Sequence, residues 1–338
     1  MSFSPSSSLG FPLLQQQASA MDLQDGVVSK PVAVSACVAM ALLYVASLYA
    51  PTVLFRLPPP SSLNSFMIRR FLCAAVSTVL SLFLSALILP VTKELPYIFG
   101  AYGIRGDHIW QAVVLPLSLT SLMYAGSMFN KFLLLFDSWM EHTASGGGLS
   151  FHSCKCALTR FLGWLAAISS DVLTWRFYVV APLTEELVFR ACMIPLLLCG
   201  GFKPYNVMLL CPIFFSLAHL NHFMEIYIKQ NYRIKKAVMI IGLQLGYTVI
   251  FGSYASFLFI RTGHLAAPLV AHIYCNFMGL PVLYSERSGI VSIGFIMGFL
   301  GFLWLLYPVT GPDLYNDRID NCNCWQGYCS WKERIQDS

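Results

Sequence analysis

The chain of 338 residues is 57% hydrophobic and only 11% charged, with a mean hydropathy of +0.65. Soluble domains are about 45–50% apolar and about 25% charged, so the composition excludes an ordinary soluble globule and points to a polytopic membrane protein. Lys and Arg outnumber Asp and Glu by 21 to 16, but no basic patch stands out, so the excess bears on orientation in a bilayer and speaks against a nucleic-acid partner.

Residues 1–30 are polar and rich in Ser and Gln. They lack both the basic start of a signal peptide and the arginines of a transit peptide, and read as a disordered N-terminal extension. A helix needs about 20 apolar residues to cross the hydrocarbon. Runs at 31–50, 71–90, 109–129, 237–260 and 290–310 meet this without a charge. Weaker candidates at 177–200, 205–220 and 265–283 hold polar residues, which brings the expected number to about eight. The apolar stretch 156–169 is too short to cross and reads as an interfacial helix, with a nine-span arrangement as the rival. Before it, Ser145 to Gly148 ("SGGG") reads as a flexible loop. Residues 311–338 form a polar tail containing Cys322, Cys324 and Cys329, whose spacing is not that of a standard zinc site. Cys37, Cys73, Cys192, Cys211 and Cys275 lie in apolar runs, where a thiol behaves as a small hydrophobe.

Basic residues are enriched on the cytoplasmic side of membrane proteins. With eight spans and the N-terminus outside, the cytoplasmic segments collect Arg56, Arg69, Arg70, Lys131, Lys155, Arg160, Arg176, Lys229, Arg233, Lys235, Lys236 and Arg287. The opposite loops between spans hold only Lys93, Arg105, Lys203 and Arg261. A ninth span before 177 would invert the second half and place the basic 221–236 loop outside. The expectation is an all-α polytopic bundle over residues 31–310, with about eight transmembrane helices and a cytosol-facing intramembrane catalytic cavity.

Ionisable groups within a bilayer are costly and mark function. The first cluster, in "APLTEELVFRACM", is Glu185, Glu186 and Arg190. Residues four apart on a helix face each other, so Glu186 and Arg190 are positioned to pair. Glu185 is rotated by about 100° and points elsewhere, which leaves it for general acid–base work. A structural Glu–Arg pair is the plainer reading of Glu186 and Arg190. The second cluster is "FFSLAHLNHF": His219 ends an apolar run, Phe215 lies one turn before it on the same face, and His222 lies one turn after. An interfacial histidine is the plainer reading there. In the third, "AHIYCNFMG", His272 and Asn276 project from one face. Together they are able to donate two hydrogen bonds to one oxygen, as an oxyanion site requires, or to act as interhelical glue.

The eight-span orientation brings all three clusters to a common depth, about 10–15 Å below the cytoplasmic surface at about 1.5 Å per residue. A buried carboxylate, a histidine and an oxyanion site suggest amide hydrolysis. Glu185 would take a proton from water with His219 orienting it. His272 and Asn276 would stabilise the oxyanion, and Glu186 and Arg190 would hold the geometry. No serine sits in a G-x-S-x-G context, which argues against covalent catalysis. A zinc site built from the same Glu and His residues stays open, although H-E-x-x-H is absent. A proton-coupled transporter using these groups as a relay also stays open, although no inverted repeat is visible. A scaffold that keeps the motif residues only for packing is the third alternative.

These residues resemble the type II CAAX prenyl proteases, within a wider group of intramembrane proteases bearing EExxxR, FxxxH and HxxxN motifs. Here the motifs read Glu185-Glu186-x-x-x-Arg190, Phe215-x-x-x-His219 and His272-x-x-x-Asn276. The similarity is strong over residues 177–285 and does not extend to the first thirty residues or the cysteine tail. The resemblance implies removal of the last three residues from farnesylated or geranylgeranylated CAAX proteins, such as Ras- and Rho-type small GTPases. It implies a multi-pass location in the endoplasmic reticulum membrane and no catalytic metal. It also implies the roles given above for Glu185, His219, His272 and Asn276.

Overall fold

The computed structural model describes residues 28–90, 95–144, 168–229, 233–281 and 289–315, with single positions 159, 163 and 231. Residues 1–27 of the expected extension, the SGGG loop, most of the expected interfacial helix and the three tail cysteines lie outside them; residues 28–30, expected to be disordered, are ordered instead, with the Val28 N–H bonded to the Cys199 carbonyl and the first helix beginning at Lys30. The described residues are helical and contain no strand.

Helix α1 (Lys30–Ser47) starts on Pro31, whose fixed φ suits a first turn. Helix α2 (Leu63–Ile88) is capped by the Ser62 hydroxyl, which accepts the Ser65 N–H. Its inward face is small and polar: Ala74, Ser77, Ser81 and Ser85 are buried, while Leu72, Val79 and Phe83 face outward. That inverts the pattern of a soluble protein. Between lipid-embedded helices, small residues permit close approach and hydroxyls bond across the gap; the Ser85 hydroxyl donates to the Cys192 carbonyl at 3.3 Å.

The run expected as one span at 109–129 is broken. Helices α3 (Ile109–Met123) and α4 (Ala125–Ala144) meet at Tyr124, and α3 is bent 78° from residues 125–141 of α4. The Tyr124 hydroxyl donates to the Gly279 carbonyl at 2.9 Å, and helix α9 (Gly289–Val309) packs into the bend. A Cβ on Gly298 would collide with the Leu122 carbonyl there, so the approach requires glycine.

Helix α5 runs continuously over 172–199. The Asp171 carboxylate caps it, accepting from the N–H groups of Leu173 and Thr174. Two wider π turns interrupt it, at Arg176–Val180 and Leu187–Cys192, each ending just before a proline turn, Pro182 and Pro195. Proline has no N–H for the carbonyl four residues back. A π turn shifts bonding one residue further along, as the Ala181 N–H to Arg176 carbonyl bond does. Pro182 therefore neither starts nor breaks the helix.

Helix α6 (Pro204–Ala218) runs into a 3₁₀ turn at His219–His222. Helices α7 (Ile234–Thr262) and α8 (Ala266–Met278) follow. Gly252 of α7 lies against α6 and α5: a Cβ there would sit 2.9 Å from the Pro212 Cβ and 3.2 Å from Arg190 Nη2. The main core joins α1, α5 and α6 through Met40, Phe189, Met193, Cys211 and Phe215, with Leu82 and Ile88 of α2 packed against it. Of the five cysteines in apolar runs, Cys37, Cys192, Cys211 and Cys275 are buried and Cys73 is half-buried.

Four described helices are long and apolar enough to cross a membrane: α1, α2, α7 and α9. The number is five if the bent α3–α4 pair counts as one crossing. The fold is thus an all-helical, multi-pass membrane bundle. The three helices that carry the polar clusters differ from these. Helix α5 is divided by its π turns, α6 has 15 residues and α8 has 13. At 1.5 Å per residue the last two reach only about 20 Å, short of the ~30 Å hydrocarbon core.

Candidate active site

Glu186 and Arg190 form the pair that their spacing predicts. Arg190 Nη1 lies 3.1 Å from Glu186 Oε1, and both side chains are fully buried. The pair has a third member. His272 Nδ1 lies 2.7 Å from the same Oε1. A carboxylate oxygen accepts, so Nδ1 carries the proton and Nε2 is turned the other way. There it faces Glu185, with Nε2 3.8 Å from Glu185 Oε2. His272 therefore lies between the two adjacent glutamates, one ring nitrogen toward each.

Phe215 organises the second side. The Arg190 guanidinium lies 4.7 Å over its ring, and the His219 ring meets it edge-on at 4.7 Å. The His272 and Phe189 rings are 6.5 Å and 5.1 Å away. A guanidinium over an aromatic face is attracted by the ring quadrupole, which matters here because Arg190 Nε and Nη2 have no hydrogen-bond partner among the described residues. His219 Nδ1 is 2.9 Å from the Phe215 carbonyl, so ring contact and backbone together set the imidazole's orientation.

Glu185 and His219 line one cavity of about 90 Å³, bounded also by Tyr44, Arg70, Arg176 and Phe215. One water needs roughly 10–15 Å³, so several fit. The Tyr44 hydroxyl is 3.1 Å from Thr184 Oγ1, at the cavity wall one residue before Glu185. Glu185 is 16% exposed against 0% for Glu186, so of the two carboxylates it is the one that reaches the cavity.

Asn276 stands one turn beyond His272 on an exposed part of α8. Its amide donates to the Phe177 carbonyl at 2.8 Å. That carbonyl is in the first π turn of α5, so the bond ties α8 to α5 beside the site. The structure thus brings Glu185, Glu186, Arg190 and His272 into one chain of contacts, joins His219 to it through Phe215 and the shared cavity, and holds Asn276 at its edge. The side chain of His222 is outside the described set. Among the described residues, no three or more His, Cys, Asp or Glu side chains cluster so as to hold a metal ion.

Several groups at the site were not legible as such in the sequence. Tyr44 and Thr184 read as ordinary members of apolar runs, and Arg70 and Arg176 as topology markers. Phe251, whose ring is 5.1 Å from that of His272, is one of many phenylalanines. For Arg176 a signal existed: it stands at the start of the span that encloses the acidic pair; for Arg70 there was none.

The family model for type II CAAX prenyl endopeptidase Rce1-like proteins matches residues 167–278, a range that contains all six candidate residues. Against CAAX prenyl protease 2 of Arabidopsis thaliana the chain is 57% identical over 305 residues, covering 90% of this chain and 97% of that protein. Against CAAX prenyl protease 2 of Homo sapiens it is 33% identical over 299 residues, covering 84% and 83%. The corresponding Rattus norvegicus protein is 31% identical over 297 residues, covering 84% and 82%. No solved structure matches the chain.

Proposed function

Since the chain belongs to the type II CAAX prenyl endopeptidase family, we propose that it removes the C-terminal aaX tripeptide from farnesylated or geranylgeranylated CAAX proteins, Ras- and Rho-type GTPases among them, at the endoplasmic reticulum membrane. The observation that carries the mechanism is the arrangement of Glu185 and His272: two groups of complementary chemistry 3.8 Å apart, Glu185 at the wall of a cavity with room for several waters and His272 behind it, held by the buried Glu186–Arg190 pair.

In this reading Glu185, assisted by His219, takes a proton from a water as its oxygen bonds to the scissile carbonyl carbon. The carbonyl oxygen becomes an oxyanion and accepts hydrogen bonds from His272 Nε2 and the Asn276 amide. Donation from Nε2 requires the imidazolium, whose charge Glu186 and Glu185 flank on either side. Collapse breaks the C–N bond, and the proton held by Glu185 passes to the leaving amine. The products are a prenylcysteine carboxylate and a tripeptide. The Asn276 NH2 carries two donors, so one stays on the Phe177 carbonyl while the second serves the oxyanion.

The eight-span topology belongs to the same reading. Helices α5, α6 and α8 complete the count as interrupted or short passes, with residues 31–310 as the protease domain, 1–30 as an extension and 311–338 as a tail. The cavity opens to the cytosolic side, where Arg70 and Arg176 lie by the basic-residue bias. A zinc-dependent protease using the same side chains is the second reading, and a non-proteolytic transporter the third. The test is cleavage of a farnesylated CAAX peptide by purified full-length protein in vesicles, beside Glu185→Gln. Cleavage by the wild type alone supports the reading; no cleavage by either, or equal cleavage by both, overturns it.

A further inference from the structure

An enzyme that cuts a fixed three residues from a chain end needs a way to register that end, and the mechanism above uses none of the cations on the cavity wall. Arg70, from the start of α2, and Arg176, from the start of α5, line the same cavity as Glu185 and His219, and α2 packs against the first turns of α5. Each guanidinium is carried over an aromatic face on its own helix, Arg70 over Phe66 at 5.5 Å and Arg176 over Phe177 at 5.4 Å. Both are partly buried, and the Tyr44 hydroxyl lies within electrostatic reach of both and of Glu185.

Two cations from different helices lining one cavity together with a carboxylate base make a site for a small anion. Resting on the proteolytic reading of the preceding subsection, we propose that Arg70 and Arg176 bind the free C-terminal carboxylate of the substrate and so set the cleavage point three residues from the end. The dimensions agree. Arg176 precedes Glu185 by nine residues, a backbone rise of at most about 13 Å, since the first five residues form a π turn. Three extended residues span about 10–11 Å, and an N–H···O contact adds about 3 Å. A planar guanidinium held against a ring presents a fork that matches a carboxylate in two-point fashion.

The test uses full-length protein in phosphatidylcholine vesicles and two farnesylated CAAX peptides that differ only in a free C-terminal carboxylate or an amide. The expected wild-type preference for the acid in kcat/KM is at least about tenfold, the scale of one charge-assisted hydrogen bond, and it resides in KM. Arg70→Gln and Arg176→Gln each lower the ratio toward one, and Arg→Lys at either position retains part of it. The ratio is read within one preparation, so loss of folded protein cancels, and the Lys variants supply it where a Gln variant is inactive. Equal cleavage of both peptides by the wild type, or an unchanged ratio in the variants, overturns the proposal and leaves the protease reading intact. Cleavage of neither peptide by the wild type overturns both. A ratio that stays fixed while the variants lose activity only in vesicles containing anionic lipid assigns the arginines to the membrane surface and also overturns it.

Discussion

Glu186 holds His272. The 2.7 Å contact from Nδ1 to Oε1 joins residues 86 apart in the chain and turns the other ring nitrogen toward Glu185. Arg190 completes the support from the same helix as Glu186. Removing one partner of a buried pair leaves an uncompensated charge, at about 3–5 kcal/mol. Glu186→Ala is expected to lower the thermal unfolding midpoint in detergent substantially and to abolish cleavage. Glu186→Gln keeps the shape but not the charge, so most of its loss should appear in kcat. Equal unfolding midpoints for wild type and Glu186→Ala would contradict the buried triad.

Glu185 behaves in the opposite way. It reaches the cavity and is not part of the Glu186–Arg190 pair. Glu185→Gln should leave the unfolding midpoint within a degree or two and reduce kcat by about 10²–10⁴, the usual worth of a general base. A folded Glu185→Gln protein with near-wild-type turnover would remove this residue from the mechanism.

Asn276 separates two roles. Its hydrogen bond to the Phe177 carbonyl is at an exposed position, where loss of one neutral bond costs about 0.5–1.5 kcal/mol. An oxyanion donor, by contrast, is worth about 10²–10³ in kcat. Asn276→Ala is expected to show the small stability change together with the large kinetic one. A kinetic effect of only a few-fold would assign Asn276 to helix pairing alone.

Gly252 tests the packing behind the site. An alanine methyl would press on Pro212 and approach Arg190, and overpacking of this kind costs about 1–3 kcal/mol. Gly252→Ala should lower the unfolding midpoint and reduce kcat through displaced Arg190 and Glu186, without altering peptide selectivity. An unaltered midpoint would mean that α6 and α7 have room to separate.

Metal removal addresses the second reading. Protein stripped with chelator and shown by elemental analysis to be metal-free is expected to keep its activity. Loss on stripping with recovery on adding zinc would favour the metal-dependent mechanism.

Much of the site was legible locally. The pairing of Glu186 with Arg190 follows from four-residue spacing, and so does the edge-on contact of Phe215 with His219, because helical neighbours are set by pitch. The partner of His272 was not. Spacing alone suggested that His272 and Asn276 act as a unit, whereas the structure bonds one to Glu186 and the other to the Phe177 carbonyl. The bend at Tyr124 was hidden too: hydropathy runs unbroken through 109–129, and the break is stabilised by Gly279 and by α9, both far along the chain.

The sequence by itself determined that the chain is helical and membrane-embedded, which residues share a helix face, and which family it belongs to. The first two rest on composition, apolar run length and a 3.6-residue period, all short-range properties; the family rests on the resemblance carried by the three motifs and their order. Only the tertiary structure decided which faces meet: that one imidazole stands between two adjacent carboxylates, that two arginines share a cavity with one of them, and that the helices bearing the polar clusters are short or carry π turns. Contacts between helices depend on backbone approach, through glycine and serine on facing surfaces, and no local pattern records the partner.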